Sequence, residues 1–340
     1  MRITREIAIT SATIADSIRF LDIYAFFRRK IAKSQVAIIT YHRVGPKNDD
    51  WSLEPTPPHL FKQQMEYYFK NYEIISLDEL AQYIREGKSL PPKAIAITFD
   101  DGYLDNYLYA YPFLKAHHIP ATIFLITGHV ESNTLFWWDK IGYILHHMNI
   151  SQFNLNELGN FSLHPNKDKS RVHSEIADAL KLISEDRKCF LINKLSEISG
   201  VDIPSNLAKG LILSWDQIKD MSNNGISFGA HSVNHPILTN IPLKRAKWEI
   251  IQSKIDIENV LNKDVSAFSY PNGNYNTELI SIVKESGFNC AVSFTPGKFV
   301  SLNDNIYALD RFPPRDNFRL FKFDQCGLLG DLKRLINIGR

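Results

Sequence analysis

Short β-branched and apolar runs alternate with segments of helical period along most of this 340-residue chain. From Gln35 onward the pattern predicts strands at Val36 to Thr40, Ile74 to Ser76, Ala94 to Phe99 and Ala121 to Thr127. Helices fall between them, near Leu60 to Phe69, from Leu77, and near Tyr107 to Lys115 with Pro112 inside the pattern. The alternation resumes after residue 213 with a helix from Ser214, a strand at Ile226 to Ala230 and a long helix from Pro242 to Leu261. A strand at Val265 to Tyr270, a helix around Thr277 to Ser286, a strand at Cys290 to Phe294 and a last strand near Ile306 to Leu309 follow. Strands alternating with helices indicate a parallel α/β architecture, and seven or eight of them suggest a barrel. Residues 131 to about 213 break the rhythm. They carry helical patterns at Trp138 to Met148, Val172 to Ile183 and Arg187 to Ile198 but little strand signal, and read as an inserted helical region.

The expected organisation is therefore an N-terminal segment over 1–34, a barrel over 35–315 holding the insertion, and a C-terminal tail over 316–340. In the first segment Ile14, Ile18, Leu21 and Tyr24 recur at helical spacing and run into Phe26, Phe27, Arg28, Arg29, Lys30 and Lys33. Such an amphipathic helix either packs its apolar face on the main domain or docks on an anionic membrane surface. No internal repeat or low-complexity tract interrupts the chain.

Composition changes this picture little. With 44% hydrophobic and 22% charged residues the chain is of ordinary globular type, and 39 basic against 37 acidic residues give no overall field to attract nucleic acid. Three cysteines, Cys189, Cys290 and Cys326, lie far apart with no CxxC spacing, which speaks against a disulfide framework or a zinc ribbon and for a reducing compartment. Asp16, Arg19 and Asp22 interrupt any signal-peptide core, and no run nears the roughly 20 apolar residues that span a bilayer. The expected location is cytoplasmic, with peripheral contact on the inner membrane face as an extension.

The chemistry sits where strands stop. Asp100, Asp101 and Gly102 follow the run Ala94 to Phe99, and His231-Ser232-Val233-Asn234-His235 follows Ile226 to Ala230. Along a strand Asp100 and Asp101 point to opposite faces, so both reach one pocket only if the chain is turning, which Gly102 permits. Read singly, Asp-Asp-Gly is a polar turn and the histidine pair a surface helix start, its continuation limited by Pro236. Together, at the strand edge where α/β active sites are built, a carboxylate and two imidazoles make an open site for a divalent cation.

Thr98-Phe99-Asp100-Asp101-Gly102, His231 to His235 and Phe268-Ser269-Tyr270-Pro271-Asn272-Gly273 resemble, in order, the motifs of the polysaccharide deacetylases, the NodB-homology or carbohydrate esterase 4 group. The resemblance spans roughly residues 35 to 315 apart from the insertion. It implies a distorted (β/α) barrel that removes acetyl groups from N-acetylated sugars. It also implies that Asp101, His231 and His235 bind the metal, with zinc the expected ion, and that Asp100 is the general base toward water. The oxyanion is then stabilised by the metal and by a backbone N–H near Tyr270.

Two departures accompany the likeness. Phe268 and Ser269 stand where many members carry an arginine that pairs with the base, and Arg311 in Leu309-Asp310-Arg311-Phe312-Pro313 is a candidate to supply that charge, or else an ordinary surface residue. No histidine follows His235, so the usual C-terminal source of the general acid is missing. Thr40-Tyr41-His42-Arg43-Val44 resembles the Tyr-His element of circularly permuted members, and first and last strands adjoin in a barrel, which makes His42 the candidate acid. His117, His118, His146 and His147 read as surface or structural, and Trp137 and Trp138 as an anchor for the insert rather than a sugar platform. The expected function is a metal-dependent deacetylase of an N-acetylhexosamine in a glycan or lipid-linked precursor. A silent carbohydrate-binding protein, a deformylase and an O-deacetylase are the alternatives.

Overall fold

A computed structural model describes residues 35–163, 169–294 and 299–325. The amphipathic pattern at 14–33 lies outside them. Six parallel strands, β1 (Gln35–Tyr41), β3 (Ala94–Phe99), β4 (Ala121–Leu125), β7 (Ile226–Ala230), β8 (Ala267–Ser269) and β9 (Cys290–Val292), lie side by side in that order. The short β2 (Glu73–Ile74) adds to the start of β3, and β10 (Val300–Ser301) runs antiparallel along the start of β1. No regular strand forms over residues 306–312, unlike the pattern's expectation. That segment instead makes single parallel bridges, Leu309 to Val292 and Phe312 to Ile39, and so spans the gap between β9 and β1. Pro313 and Pro314 follow directly and have no N–H with which to extend a ladder. The result is a distorted (β/α) barrel.

Period-two alternation sorts each strand into an inward and an outward row. Ala37, Ile39, Ile95, Ile97 and Ile123 face the surrounding helices, including α1 (Pro58–Asn71), α7 (Trp215–Asn223), α8 (Leu243–Leu261) and α9 (Thr277–Glu285). Val36, Ile38, Ala94, Ala96, Phe124, Ala267, Cys290, Val292 and Leu309 form a second cluster, joined by Leu77, Leu80 and Ala81 of α2 (Leu77–Glu86). Counting on by twos along this second row gives His42 after Ile38 and Thr40, Asp100 after Ala96 and Thr98, Ser269 after Ala267, and Arg311 after Leu309. The interior is apolar at one end and chemically furnished at the other, where the parallel strands stop.

Helix boundaries follow local signals. Ser76 and Ser214 each cap a helix through a capping box, with Glu79 and Gln217 at the third position. Ahead of α3 (Tyr111–Ala116) a π turn, Asn106–Ala110, absorbs Pro112, which cannot donate into the preceding turn.

Between β4 and β7 come α4 (Trp137–His147), α5 (Lys169–Leu180) and α6 (Glu185–Ser199), around a separate apolar cluster that includes Ile141, Ile144, Val172, Ile176 and Leu191. A small hairpin, β5 (Gln152–Asn154) with β6 (Asn160–Ser162), joins them and carries only one buried residue per strand, Phe153 and Phe161. So short an alternation gives little strand signal. Beyond residue 315 the chain forms α10 (Phe318–Gln325), whose Phe321 packs on Tyr67 and Tyr68 of α1. Cys189 and Cys290 are free thiols.

Gly229 is where β7 passes closest to its neighbours: a Cβ there would lie 2.5 Å from the Phe124 ring and 2.9 Å from the Ala267 carbonyl. Gly229→Ala is expected to cost about 1–3 kcal/mol by overpacking, measured by urea unfolding.

Candidate active site

Strand β3 ends at Phe99, and the next peptide still belongs to the sheet, with the Asp100 N–H donating to the Tyr41 carbonyl at 2.9 Å. Asp101 then turns into the left-handed region at φ 72°, followed by Gly102 at the same value. Asp tolerates that region better than most residues, and the turn brings both carboxylates to one cavity. A Cβ on Gly102 would fall 2.8 Å from Leu125, so the position is closed to larger residues in two ways.

Asp100 is gripped by Arg311. The guanidinium donates from Nη1 to Oδ1 at 2.7 Å and from Nη2 to Oδ2 at 2.6 Å. Its remaining donors reach Thr98 Oγ1 at 3.1 Å, Ser269 Oγ at 2.8 Å and the Ser293 carbonyl at 3.2 Å, and its plane stands 5.4 Å from the Phe124 ring. Arg311 is only 1% exposed, so it is no surface residue. Burial pushes the Asp100 carboxyl up, but the charges of Arg311 and His231 and the Arg311 hydrogen bonds outweigh it and hold the group well below the usual carboxylate range.

Asp101 receives no such help. Its Oδ1 is buried with no hydrogen-bond partner, 3.6 Å from His231 Nε2 and 3.9 Å from His235 Nε2, and the two Nε2 atoms are 3.1 Å apart. A tetrahedral zinc ion with bonds of ~2.0–2.2 Å separates its ligand atoms by about 3.4 Å. The triangle therefore fits a cation. Burial, with the nearby Asp100 and Asp139 charges, pushes Asp101 well above the usual range, while burial lowers His231 to about 4 and His235 well below 6.5. Two neutral imidazoles and a carboxyl that needs a positive charge to ionise are what a metal site offers before it is loaded.

His231 donates its Nδ1 hydrogen to the Ser269 carbonyl at 2.7 Å, which leaves the Nε2 lone pair facing the triangle. The segment from His231 to His235 is a loop, not a helix start, with Ser232 at φ 64° and His235 at φ 56°. Its support is Glu249 of α8, fully buried, whose carboxylate accepts from the N–H groups of Val233 and Asn234, both at 2.9 Å, and from Asn234 Nδ2 at 3.0 Å. The Ser232 hydroxyl accepts from the His235 N–H at 2.9 Å. Glu249 escaped the sequence reading, although it shares a helix face with Ala246, Ile250, Ser253 and Ile257, an apolar stripe where a glutamate stands out.

His42 lines the same cavity, and burial lowers its pKa against the pull of Asp100. Tyr270 also lines it, but its backbone N–H already donates to the Val292 carbonyl at 3.1 Å and its hydroxyl to the Tyr307 carbonyl at 3.0 Å. The expected oxyanion donor near Tyr270 is therefore a different N–H from that of Tyr270, which this ladder bond occupies. Pro271 has no N–H, so Asn272, which lines the cavity, is the first residue beyond Tyr270 able to present one. His146, assigned from sequence to surface or structure, also lines the cavity. Trp138 stacks on Phe136 at 4.7 Å, donates to the Tyr103 hydroxyl at 3.0 Å and meets the His235 ring in a T-shaped contact with 4.9 Å between ring centres, so it both anchors the insert and borders the site.

The whole cavity measures about 560 Å³, within the range of pockets that bury a small ligand. A model of the family described as polysaccharide deacetylase matches residues 87–291. The chain belongs to the polysaccharide deacetylase family. Its members are carbohydrate esterases acting on the N-acetyl amide bond, and the family's deacetylases are metal-dependent. This deacetylase is similar to the Bacillus subtilis (strain 168) protein YxkH, 24% identical over 279 residues that cover 82% of this chain and 71% of that one. It is 29% identical over 230 residues to the poly-beta-1,6-N-acetyl-D-glucosamine N-deacetylase of Staphylococcus epidermidis, covering 59% of this chain and 73% of the relative. The fold is similar to that of the Streptococcus pyogenes deacetylase PplD, solved with acetate, at a TM-score of 0.56 and 21% identity, covering 84% of this chain and 95% of that one.

Two outcomes follow from the site's electrostatics. Arg311→Met leaves Asp100 buried without its partner and is expected to cost about 3–5 kcal/mol in denaturant unfolding at neutral pH. Asp139 is buried, which raises it to about 7 although the Leu53 N–H and Arg43 oppose the shift. Because the folded form keeps its proton when the unfolded chain has lost it, stability falls as pH rises from about 4 to 7 and then levels. Asp139→Asn retains an acceptor for Leu53 and is expected to stabilise the fold more at pH 8 than at pH 5, by about 2–3 kcal/mol in urea unfolding.

Proposed function

We propose that this deacetylase hydrolyses the acetamide of an N-acetylhexosamine in a glycan or lipid-linked glycan precursor, using a divalent cation, zinc by donor set, held by Asp101, His231 and His235. The supporting observation is the pairing, in one cavity, of an arginine-clamped Asp100 with an Asp-His-His triangle whose Asp101 oxygen has no hydrogen-bond partner. The Staphylococcus epidermidis relative, named for deacetylating poly-beta-1,6-N-acetyl-D-glucosamine, points to the same substrate class. Once bound, the cation supplies Lewis-acid polarisation of the acetamide carbonyl and a water that ionises near neutral pH.

The remaining work falls to the chain. Arg311 keeps Asp100 ionised and oriented, so that Asp100 takes the proton of the attacking water. The same clamp makes it a weak base, suited to an acidified water rather than a bulk one. His42, neutral at rest because burial lowers its pKa, takes up the proton that the attacking water gives to Asp100 and delivers it to the leaving amine, so that the protons balance over one turnover. Arg311 fills the place of the arginine missing before Tyr270, and the Asn272 N–H faces the role of oxyanion donor.

Acetate release from N-acetylglucosamine oligomers, with metal content determined on the same preparations, tests this reading. Asp100→Asn is expected to lose about 10²–10⁴ in kcat while keeping its metal, and Asp101→Asn to lose the metal. Sugar binding without acetate release, unchanged by Asp100→Asn, identifies a silent binding protein instead. Release from N-formyl or O-acetyl sugars in preference to N-acetyl ones assigns the alternative acyl group.

A further inference from the structure

Metal-binding imidazoles are ordinarily oriented by a hydrogen bond from the ring nitrogen that does not face the ion. His231 follows this rule through its Nδ1 bond to the Ser269 carbonyl at 2.7 Å. His235 does not, since its Nδ1 is buried and has no hydrogen-bond partner. Its backbone is held, with the N–H donating to Ser232 Oγ at 2.9 Å and φ at 56°, but backbone contacts leave the rotation of the ring unset. Another contact has to fix the ring if its Nε2 is to face the triangle.

Among the described residues, two aromatic rings lie against that of His235. One is its fellow ligand His231, 4.7 Å away between ring centres, and the other is Trp138, 4.9 Å away at 71°. Trp138 is itself held from several directions. Its ring stacks on Phe136 with the planes 19° apart, its Nε1 donates to the Tyr103 hydroxyl at 3.0 Å, and its carbonyl accepts from His173 Nε2 at 2.9 Å. Tyr103 is fully buried, sets its ring T-shaped on Phe136 at 5.3 Å, and stands two residues beyond Asp101. The indole therefore bridges the turn that carries the carboxylate ligand and the loop that carries an imidazole ligand. That bridge belongs to α4, the first helix of the insert, and not to a barrel strand.

We propose that Trp138 is a positioning residue of the metal centre: its ring sets the plane of His235 where no hydrogen bond does, and the insert thereby contributes to affinity for the ion. This rests on the reading of Asp101, His231 and His235 as metal ligands. A ring oriented by van der Waals contact keeps its orientation only while that contact is close-packed. Without the indole, ion binding has to arrest the rotation of the His235 side chain, an ordering that the packed site has already undergone on folding.

Zinc affinity is measured on the full chain by competition with a chromophoric chelator, and ligand geometry by the visible absorption of the cobalt(II) form. Trp138→Ala is expected to weaken zinc binding about 10–100-fold and to alter the cobalt spectrum, while Trp138→Phe, which keeps a ring against His235, recovers to within about threefold of the natural chain. Phe161→Ala is the comparison, because Phe161 stacks on Phe153 in the insert's own core and does not line the cavity. It is expected to lower the urea midpoint without moving either metal reading. Natural affinity and spectrum in Trp138→Ala overturn the inference, and so does an equal loss of zinc in Phe161→Ala, which makes the effect one of insert stability. If the alanine variant does not fold, Trp138→Leu fills the space without an aromatic ring, and natural affinity there overturns the inference in the same way. A natural chain that binds no divalent ion overturns both this inference and the metal reading. One that binds zinc with the expected pattern but releases no acetate overturns the deacetylase reading alone.

Discussion

The contact on which the rest of this molecule depends is the bidentate pair between Arg311 and Asp100. Two charges are taken out of water at the mouth of a barrel whose lower interior is alanine, valine and isoleucine, a transfer that the mutual attraction alone does not offset. The compensation is complete on the arginine side, where Thr98, Ser269 and the Ser293 carbonyl occupy the donors that Asp100 leaves. The same arginine belongs to the stretch that bridges β9 to β1 by isolated pairs rather than by a strand. A weak backbone seam is thereby closed by a strong side-chain bond from the last part of the ring to the end of β3. Closure of the fold and ionisation of the base are one interaction.

Adjacent in sequence, the two aspartates are opposite in electrical condition. Asp100 has its counter-charge fixed by a direct bidentate pair, whereas Asp101, one residue on and turned at φ 72°, faces two imidazoles with an Oδ1 that has no hydrogen-bond partner. Satisfying both with side chains would leave no position open to water and substrate. Leaving one unsatisfied creates a site whose affinity for a divalent ion includes the relief of a buried, partnerless oxygen. Glu249 serves that arrangement from beneath by holding the histidine loop through three donors, so a second buried carboxylate is spent on backbone geometry alone.

Much of this could be read from the chain because the strands are short, parallel and punctuated. Ala94 to Phe99 and Ile226 to Ala230 were legible to the residue, since each is a mainly apolar run, broken only by the small hydroxyl residue Thr98 or Ser227, and followed at once by polar residues. The carboxylates and imidazoles took their place from those run ends, and His42 and Arg311 from counting which strands must adjoin. What stayed hidden depends on partners far away in sequence. Nothing near Tyr270 tells that its N–H is used by Val292, and nothing near Asp139 tells that it meets Leu53, 86 residues earlier. The histidine loop looked like a helix start because i, i+4 spacing mimics one. Glu249, 15 residues beyond Asn234 on the next long helix, shows why it folds as a loop.

The position of the insert is itself a consequence of strand order. It leaves the sheet after β4, and β4 lies between β3 and β7, the two strands that deliver Asp101 and the histidines. An excursion from that point stands over the metal triangle by topology, before any side chain is chosen, and the Trp138 ring against His235 is the contact that results. An excursion from β8 or β9 would instead stand over Arg311 and Asp100 and crowd the base. With the insert on the ligand side, α4 and α5 shape much of the cavity, while the groups that do the chemistry come from β3, β7 and residue 311. The two parts still meet, since the Asp139 charge of the insert acts on Asp101 and Trp138 packs on His235, so a change in the insert reaches the metal ligands as well as the shape of the cavity.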